Sequence, residues 1–91
     1  MISSYEQIVE RIIKEQEKVI GPLAVDQARK VSGISINASN QSITLNGDKK
    51  GIVEELVKQY EYLFGKISIE VCKEALKNLS VTKDELPAIL Q

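Results

Sequence analysis

The chain has no histidine and no tryptophan, a single cysteine, and aromatic residues at only 4% of its 91 positions. Without histidine, the commonest general base, the usual activator of a serine or cysteine nucleophile and the commonest zinc ligand are all missing. The one cysteine, Cys72, excludes an internal disulfide and any cysteine-based metal cluster within one chain. So few aromatics leave no row of stacking platforms for bases or sugars. A net charge of −1 gives no electrostatic pull toward nucleic acid or anionic lipid, so neither is an expected partner. No apolar run approaches the ~20 residues of a membrane span. Met1 to Glu10 lacks a basic stretch followed by an apolar core, so the expected location is the cytoplasm. The Asn-x-Ser sequons at Asn37, Asn40 and Asn78 are then chance matches.

What is present is the composition of a globular protein, 43% apolar and 27% charged. One domain over residues 1–91 is expected, burying roughly 60–65% of the surface of its unfolded chain, so its stability should be modest. Its pattern occurs twice. Residues 8–31 and 52–75 align without a gap at an offset of 44, with Ile8/Ile52, Val9/Val53, Glu10/Glu54, Lys14/Lys58, Glu17/Glu61 and Gly21/Gly65 identical. Apolar character is kept at Ile12/Leu56, Ile13/Val57, Val19/Leu63, Ile20/Phe64, Leu23/Ile67, Val25/Ile69, Ala28/Cys72 and Val31/Ala75. A core pattern repeated together with its break specifies architecture more than chemistry. Copy one spans 4–32 and copy two 48–79, with a linker over 33–50 and a closing segment over 80–91.

From Ser4 to Ile20 the apolar residues Tyr5, Ile8, Val9, Ile12, Ile13, Val19 and Ile20 fall at three- and four-residue steps, which predicts an amphipathic helix. Gly21-Pro22 ends it, because Pro22 has no N–H to donate and its ring crowds the preceding turn. Proline suits the first turn of a new helix, so a second helix is expected from Pro22 to near Ser32-Gly33. Copy two gives a third helix over Lys49 to Phe64, with Asp48 as N-cap, and a fourth over Lys66 to Leu79. Its break, Gly65-Lys66, has no proline, which leaves open whether Gly65 ends a helix or kinks one. Ile34 and Ile36 alternate with polar residues, as do Ile43 and Leu45, which predicts a short β-hairpin around the polar run 37–41. A last helical turn is expected near Glu85, capped by Thr82 or Asp84, with Leu86, Ile89 and Leu90 docking on the bundle.

Residues that could carry chemistry are few. The carboxylate pairs Glu15/Glu17, Glu54/Glu55 and Asp84/Glu85 are neighbours that do not share a helix face, and a solvated surface explains them better than catalysis. Cys72 takes the place of Ala28 in the alignment and reads as a small core residue. Asn46-Gly47-Asp48-Lys49-Lys50-Gly51 precedes a helix yet lacks the phosphate-loop pattern, and it falls short of a calcium loop. Tyr60 belongs to the apolar stripe of its helix, whereas Tyr62 points elsewhere and is an interface candidate.

Val19-Ile20-Gly21-Pro22-Leu23-Ala24 resembles the Ile-Gly-Pro-Ile/Leu-Ala motif of small helical domains appended to prokaryotic signalling proteins, including some serine/threonine kinases and response regulators. The resemblance covers residues 8–31 and implies a non-catalytic regulatory or scaffolding module, with no site residue carried over. Copy two departs from the motif with Phe64-Gly65-Lys66-Ile67-Ser68.

The fold expected is therefore mostly α: four main helices as two helix–glycine–helix repeats, an inserted hairpin and a short C-terminal helix. Gly21, Pro22 and Gly65 are its structural breaks. The function expected is non-enzymatic, a protein-interaction module that uses Tyr62 or the hairpin residues Ile34, Ile36, Ile43 and Leu45 as interface, with a protein partner that can be a second copy. A helical domain binding a small ligand or lipid in an apolar cavity is the alternative. No cofactor, metal or nucleic acid is expected, and a histone-like DNA binder is disfavoured by the net charge.

Overall fold

The structure is a computed structural model that describes residues 4–40, 42–79, 81 and 83–91. Its first helix, α1 (Tyr5–Ile20), starts at Ser4, whose hydroxyl accepts from the Gln7 N–H at 3.2 Å while Gln7 Oε1 accepts from the Ser4 N–H at 3.1 Å. That reciprocal box satisfies two N–H groups that have no partner within the helix. α1 buries Ile8, Val9, Ile12 and Ile13, and α3 (Lys49–Phe64) buries Ile52, Val53, Leu56 and Val57. Each of these two helices is followed by a shorter one, α2 (Leu23–Arg29) and α4 (Ile67–Ala75). The exposed pairs Glu10–Lys14 at 3.2 Å and Glu54–Lys58 at 3.7 Å lie on the outer faces, where such pairs contribute about 0.3–0.5 kcal/mol each. Glu6 and Lys49, 3.0 Å apart, tie the first turn of α1 to that of α3, and this contact holds the Glu6 carboxyl below its ordinary range.

Both short helices stop earlier than periodicity predicts. α2 was expected to reach Ser32-Gly33 and ends at Arg29, and α4 was expected to reach Leu79 and ends at Ala75. In each case the backbone tightens into three-residue hydrogen bonds. Lys30 donates to Gln27 and Val31 to Ala28 in the first, Leu76 to Lys73 and Lys77 to Glu74 in the second. Val31, Ala75 and Leu76 stay buried, so the apolar pattern continues through a turn that is no longer α-helical.

Between the halves, β1 (Ile34–Ile36) and β2 (Ile43–Leu45) pair antiparallel in the register Ile34↔Leu45, Ser35↔Thr44 and Ile36↔Ile43. Opposite residues share a face. Ile34 and Leu45 are buried and Ile36 and Ile43 half-buried, β1 resting on α2 and β2 on α1. The hairpin base is fixed at Gly33, where φ is +94° and a Cβ would come within 2.7 Å of both the Asn46 carbonyl and Ile52 Cδ1. Asn46 donates to the Gly33 carbonyl at 2.8 Å. Asp48 holds the N-cap position of α3 but makes no side-chain cap. Its carboxylate instead lies over Gly51, where a Cβ would meet Asp48 Oδ2 at 2.7 Å.

The C-terminal segment forms two single 3-10 turns, Lys83–Glu85 and Ala88–Leu90. Thr82, one expected cap, lies outside the described residues, and Asp84 falls inside the first turn. Pro87 sits before the second turn in extended conformation (φ −62°, ψ 155°) rather than inside a helix begun at Glu85. Leu90 is buried, and Leu86 and Ile89 pack against the core. That core is one cluster drawn from all four helices, the hairpin and this segment.

Candidate functional site

Gly65 ends a helix and does not kink one. At Gly21 the backbone takes φ 68° and ψ −149°, at Gly65 φ 84° and ψ −175°, a region that glycine alone occupies readily. Gly21 donates to the Glu17 carbonyl and Gly65 to the Glu61 carbonyl, each at 2.8 Å. Pro22 and Lys66 then come next with nearly the same angles, φ −59° and ψ −19° against φ −64° and ψ −22°. The second break needs no proline because the glycine sets the reversal and any residue tolerates the helical angles after it.

Around these breaks the halves exchange polar contacts. Gln16, buried in α1, donates from Nε2 to the Ser68 carbonyl at 3.1 Å and to Cys72 Sγ at 3.4 Å. Tyr60, buried in α3, donates from its hydroxyl to the Ala24 carbonyl at 2.6 Å. Tyr60 stands 44 residues after Gln16 and Ser68 stands 44 after Ala24, so each long helix satisfies a carbonyl in the first turn of the other half's short helix. Such carbonyls and side chains would each cost about 1–3 kcal/mol if buried unpaired. Among the described residues no buried side-chain nitrogen or oxygen lacks a partner. Gln59 adds a bond to Gln27 Oε1 at 2.8 Å between α3 and α2.

This polar centre is chemically quiet. Burial pushes the Cys72 thiol up to about 11, against a smaller lowering by the Gln16 bond. Burial also raises Tyr60, with Cys72 and Glu17 adding to the shift. A thiol held protonated and enclosed is a poor nucleophile. No group of three or more His, Cys, Asp or Glu among the described residues is placed to hold a metal ion. No helix among them is long and apolar enough to cross a membrane.

The surface beside the centre is different. Among the described residues the exposed large hydrophobics are Val19, Leu23, Tyr62, Leu63 and Ile67, exposed by 64, 49, 85, 43 and 67% respectively. Each lies within three residues of Gly21 or Gly65, and four of them are two pairs at the 44-residue offset, Val19 with Leu63 and Leu23 with Ile67. Leu23 and Ile67 are chain neighbours of Ala24 and Ser68, and Val19 and Leu63 come three residues after Gln16 and Tyr60. The cross-half bonds therefore bring both breaks, and this apolar set, to one end of the molecule.

Of the interface residues expected from sequence, Tyr62 lies in this set. The hairpin residues do not: Ile34 and Leu45 are core, and Ile36 and Ile43 are half-buried over α1 and α2. Sequence reasoning missed Val19, Leu23, Leu63 and Ile67 because they continue apolar helix stripes and so resemble core. It missed Gln16 because a glutamine reads as surface. The offset was the available signal, since Gln16 aligns with Tyr60 at a buried position.

Away from the breaks lie a groove of about 130 Å³ between α1, α2 and the hairpin, lined by Ile13, Val25, Ile36 and Ile43 together with Glu10 and Glu17, and a hollow of about 210 Å³ lined by Asp48, Gly51, Glu54 and Pro87. Beside Gly21 a shallow depression of about 430 Å³ is lined by Glu17, Pro22, Val25, Asp26 and Arg29. The first two are smaller than the ~300–1,000 Å³ of ordinary small-molecule sites, and the third is a surface hollow walled largely by charged side chains. No family model matches the chain, and no curated protein or solved structure shows significant similarity to it.

Proposed function

We propose that the chain is a non-catalytic protein-interaction or scaffolding module, suited to cytoplasmic signalling or assembly, whose docking surface is the apolar set around Gly21 and Gly65. The observation that carries this reading is the placement of the exposed large hydrophobics among the described residues, all within three residues of a break. Scattered exposed apolar residues need no explanation, but a concentration of them at one end favours a covered surface. A non-enzymatic role is supported by the two buried titratable groups, Tyr60 and Cys72, both held in their protonated forms.

The test is affinity capture from nuclease-treated native lysate with tagged wild-type protein and a Val19→Glu/Ile67→Glu variant, read by mass spectrometry. Both substituted positions are exposed, so circular dichroism should match between the two baits. A protein held stoichiometrically by the wild type and lost by the variant is the expected result. Identical capture by both baits would sink the proposal.

A further inference from the structure

We infer that the partner which fits the break surface is a second copy of this chain, docked as an isologous twofold dimer; the inference rests on the docking surface proposed above. In such an interface residue i of one copy meets residue j of the other, and j meets i. A surface that carries the same kind of side chain at two matched places is suited to that exchange. Val19 and Leu23 beside the first break have counterparts in Leu63 and Ile67 beside the second, on backbone of similar angles. The first break of one copy can therefore cover the second break of the other, twice per dimer.

Charge supports the same pairing. Among the described residues the first break carries Glu17, Asp26 and Arg29, and the second Glu61 and Lys66, none of them in an ion pair. Crossing first break to second sets the Lys66 of each copy against the Glu17 and Asp26 of the other, and Arg29 against Glu61. A net charge of −1 per chain adds little long-range repulsion between copies. The area is also of the right order. The five exposed hydrophobics present on the order of 500 Å² per copy, more than half of the ~800 Å² per partner of a standard interface, with the rim left to supply the rest.

Sedimentation velocity or light scattering after gel filtration tests this on the full chain, up to about 0.5 mM, where even a Kd of ~100 μM is visible. The wild type should show a reversible monomer–dimer equilibrium. Ile67→Glu, with an unchanged circular dichroism spectrum, should weaken it at least tenfold, and Lys66→Glu should weaken it by a smaller factor. A wild-type chain that stays monomeric throughout, or a dimer indifferent to Ile67→Glu, overturns the second copy as occupant. If the wild type stays monomeric, the docking surface itself still stands where lysate capture gives a foreign protein that depends on Val19 and Ile67, and falls where capture gives none.

Discussion

The breaks at Gly21 and Gly65 take similar backbone angles within different sequences. The first half has Gly-Pro at its break and the second Gly-Lys, yet the paired angles agree to within about 26° and the hydrogen bonds that close the long helices are both 2.8 Å. Glycine is thus the residue that makes the reversal, and proline only stiffens the first turn of the short helix. The halves differ more in what covers them. The hairpin rests on α1 and α2, whereas the second 3-10 turn of the C-terminal segment rests on α4. Two helix pairs of the same order, long then short, are thus covered by unlike elements.

The equivalence can be broken at several levels. Ile12→Ala and Leu56→Ala remove fully buried side chains at matched positions, and each should cost about 3 kcal/mol in urea unfolding. Costs differing by more than ~1.5 kcal/mol would show that one half carries the stability. Gly21→Ala and Gly65→Ala should each cost about 2 kcal/mol. No atom lies within 4 Å of either added Cβ, so this loss measures backbone strain alone, and a neutral result at either site would show that its reversal can relax.

Cys72 supplies a difference between the halves that pH can read. Its thiol is raised from about 9 to about 11 in the fold, so the unfolded chain ionises first as pH climbs. Stability should be complete below about pH 9 and fall by about 1–2 kcal/mol toward pH 11. Cys72→Ala should flatten part of that fall, because its counterpart Ala28 has nothing to titrate. A slope unchanged in the variant would assign the loss to other groups. The smallest effect should be a gain. Lys66→Pro imposes on the second break the residue that the first already has, at φ −64°, and should raise stability by about 0.5–1 kcal/mol in denaturation at monomeric concentration. A loss would show that the two breaks differ in ways their angles do not reveal.

Much of the architecture was legible because it rests on local rules. Helical spacing gave α1 and α3 their extents, and alternation gave the hairpin its strands. The ends of α2 and α4 were not legible, because an apolar pattern does not distinguish an α-helical turn from the tighter turns that replace it at Lys30 and Leu76. The polar centre was hidden for another reason. Gln16 meets Ser68 across 52 residues and Tyr60 meets Ala24 across 36, and single-chain periodicity holds no information on contacts at that range. The exposed surface was masked by its chemistry: Val19 and Leu63 continue apolar stripes beyond the stretch of helix that packs on a neighbour.

The crossed bonds at Gln16 and Tyr60 also bear on how small a folded piece of this chain can be. Residues 4–32 alone would lose both the Ser68 carbonyl that receives the Gln16 donor and the α4 surface that covers it, and would leave the Ala24 carbonyl without the Tyr60 hydroxyl. Residues 48–79 alone would suffer the converse. Each segment thus holds one side of two bonds that only the other completes, and neither gains their stabilisation until a loop of some forty residues has closed. Opening of one half should therefore loosen the other in the same event, so that amide exchange reports a single cooperative unit spanning both glycines.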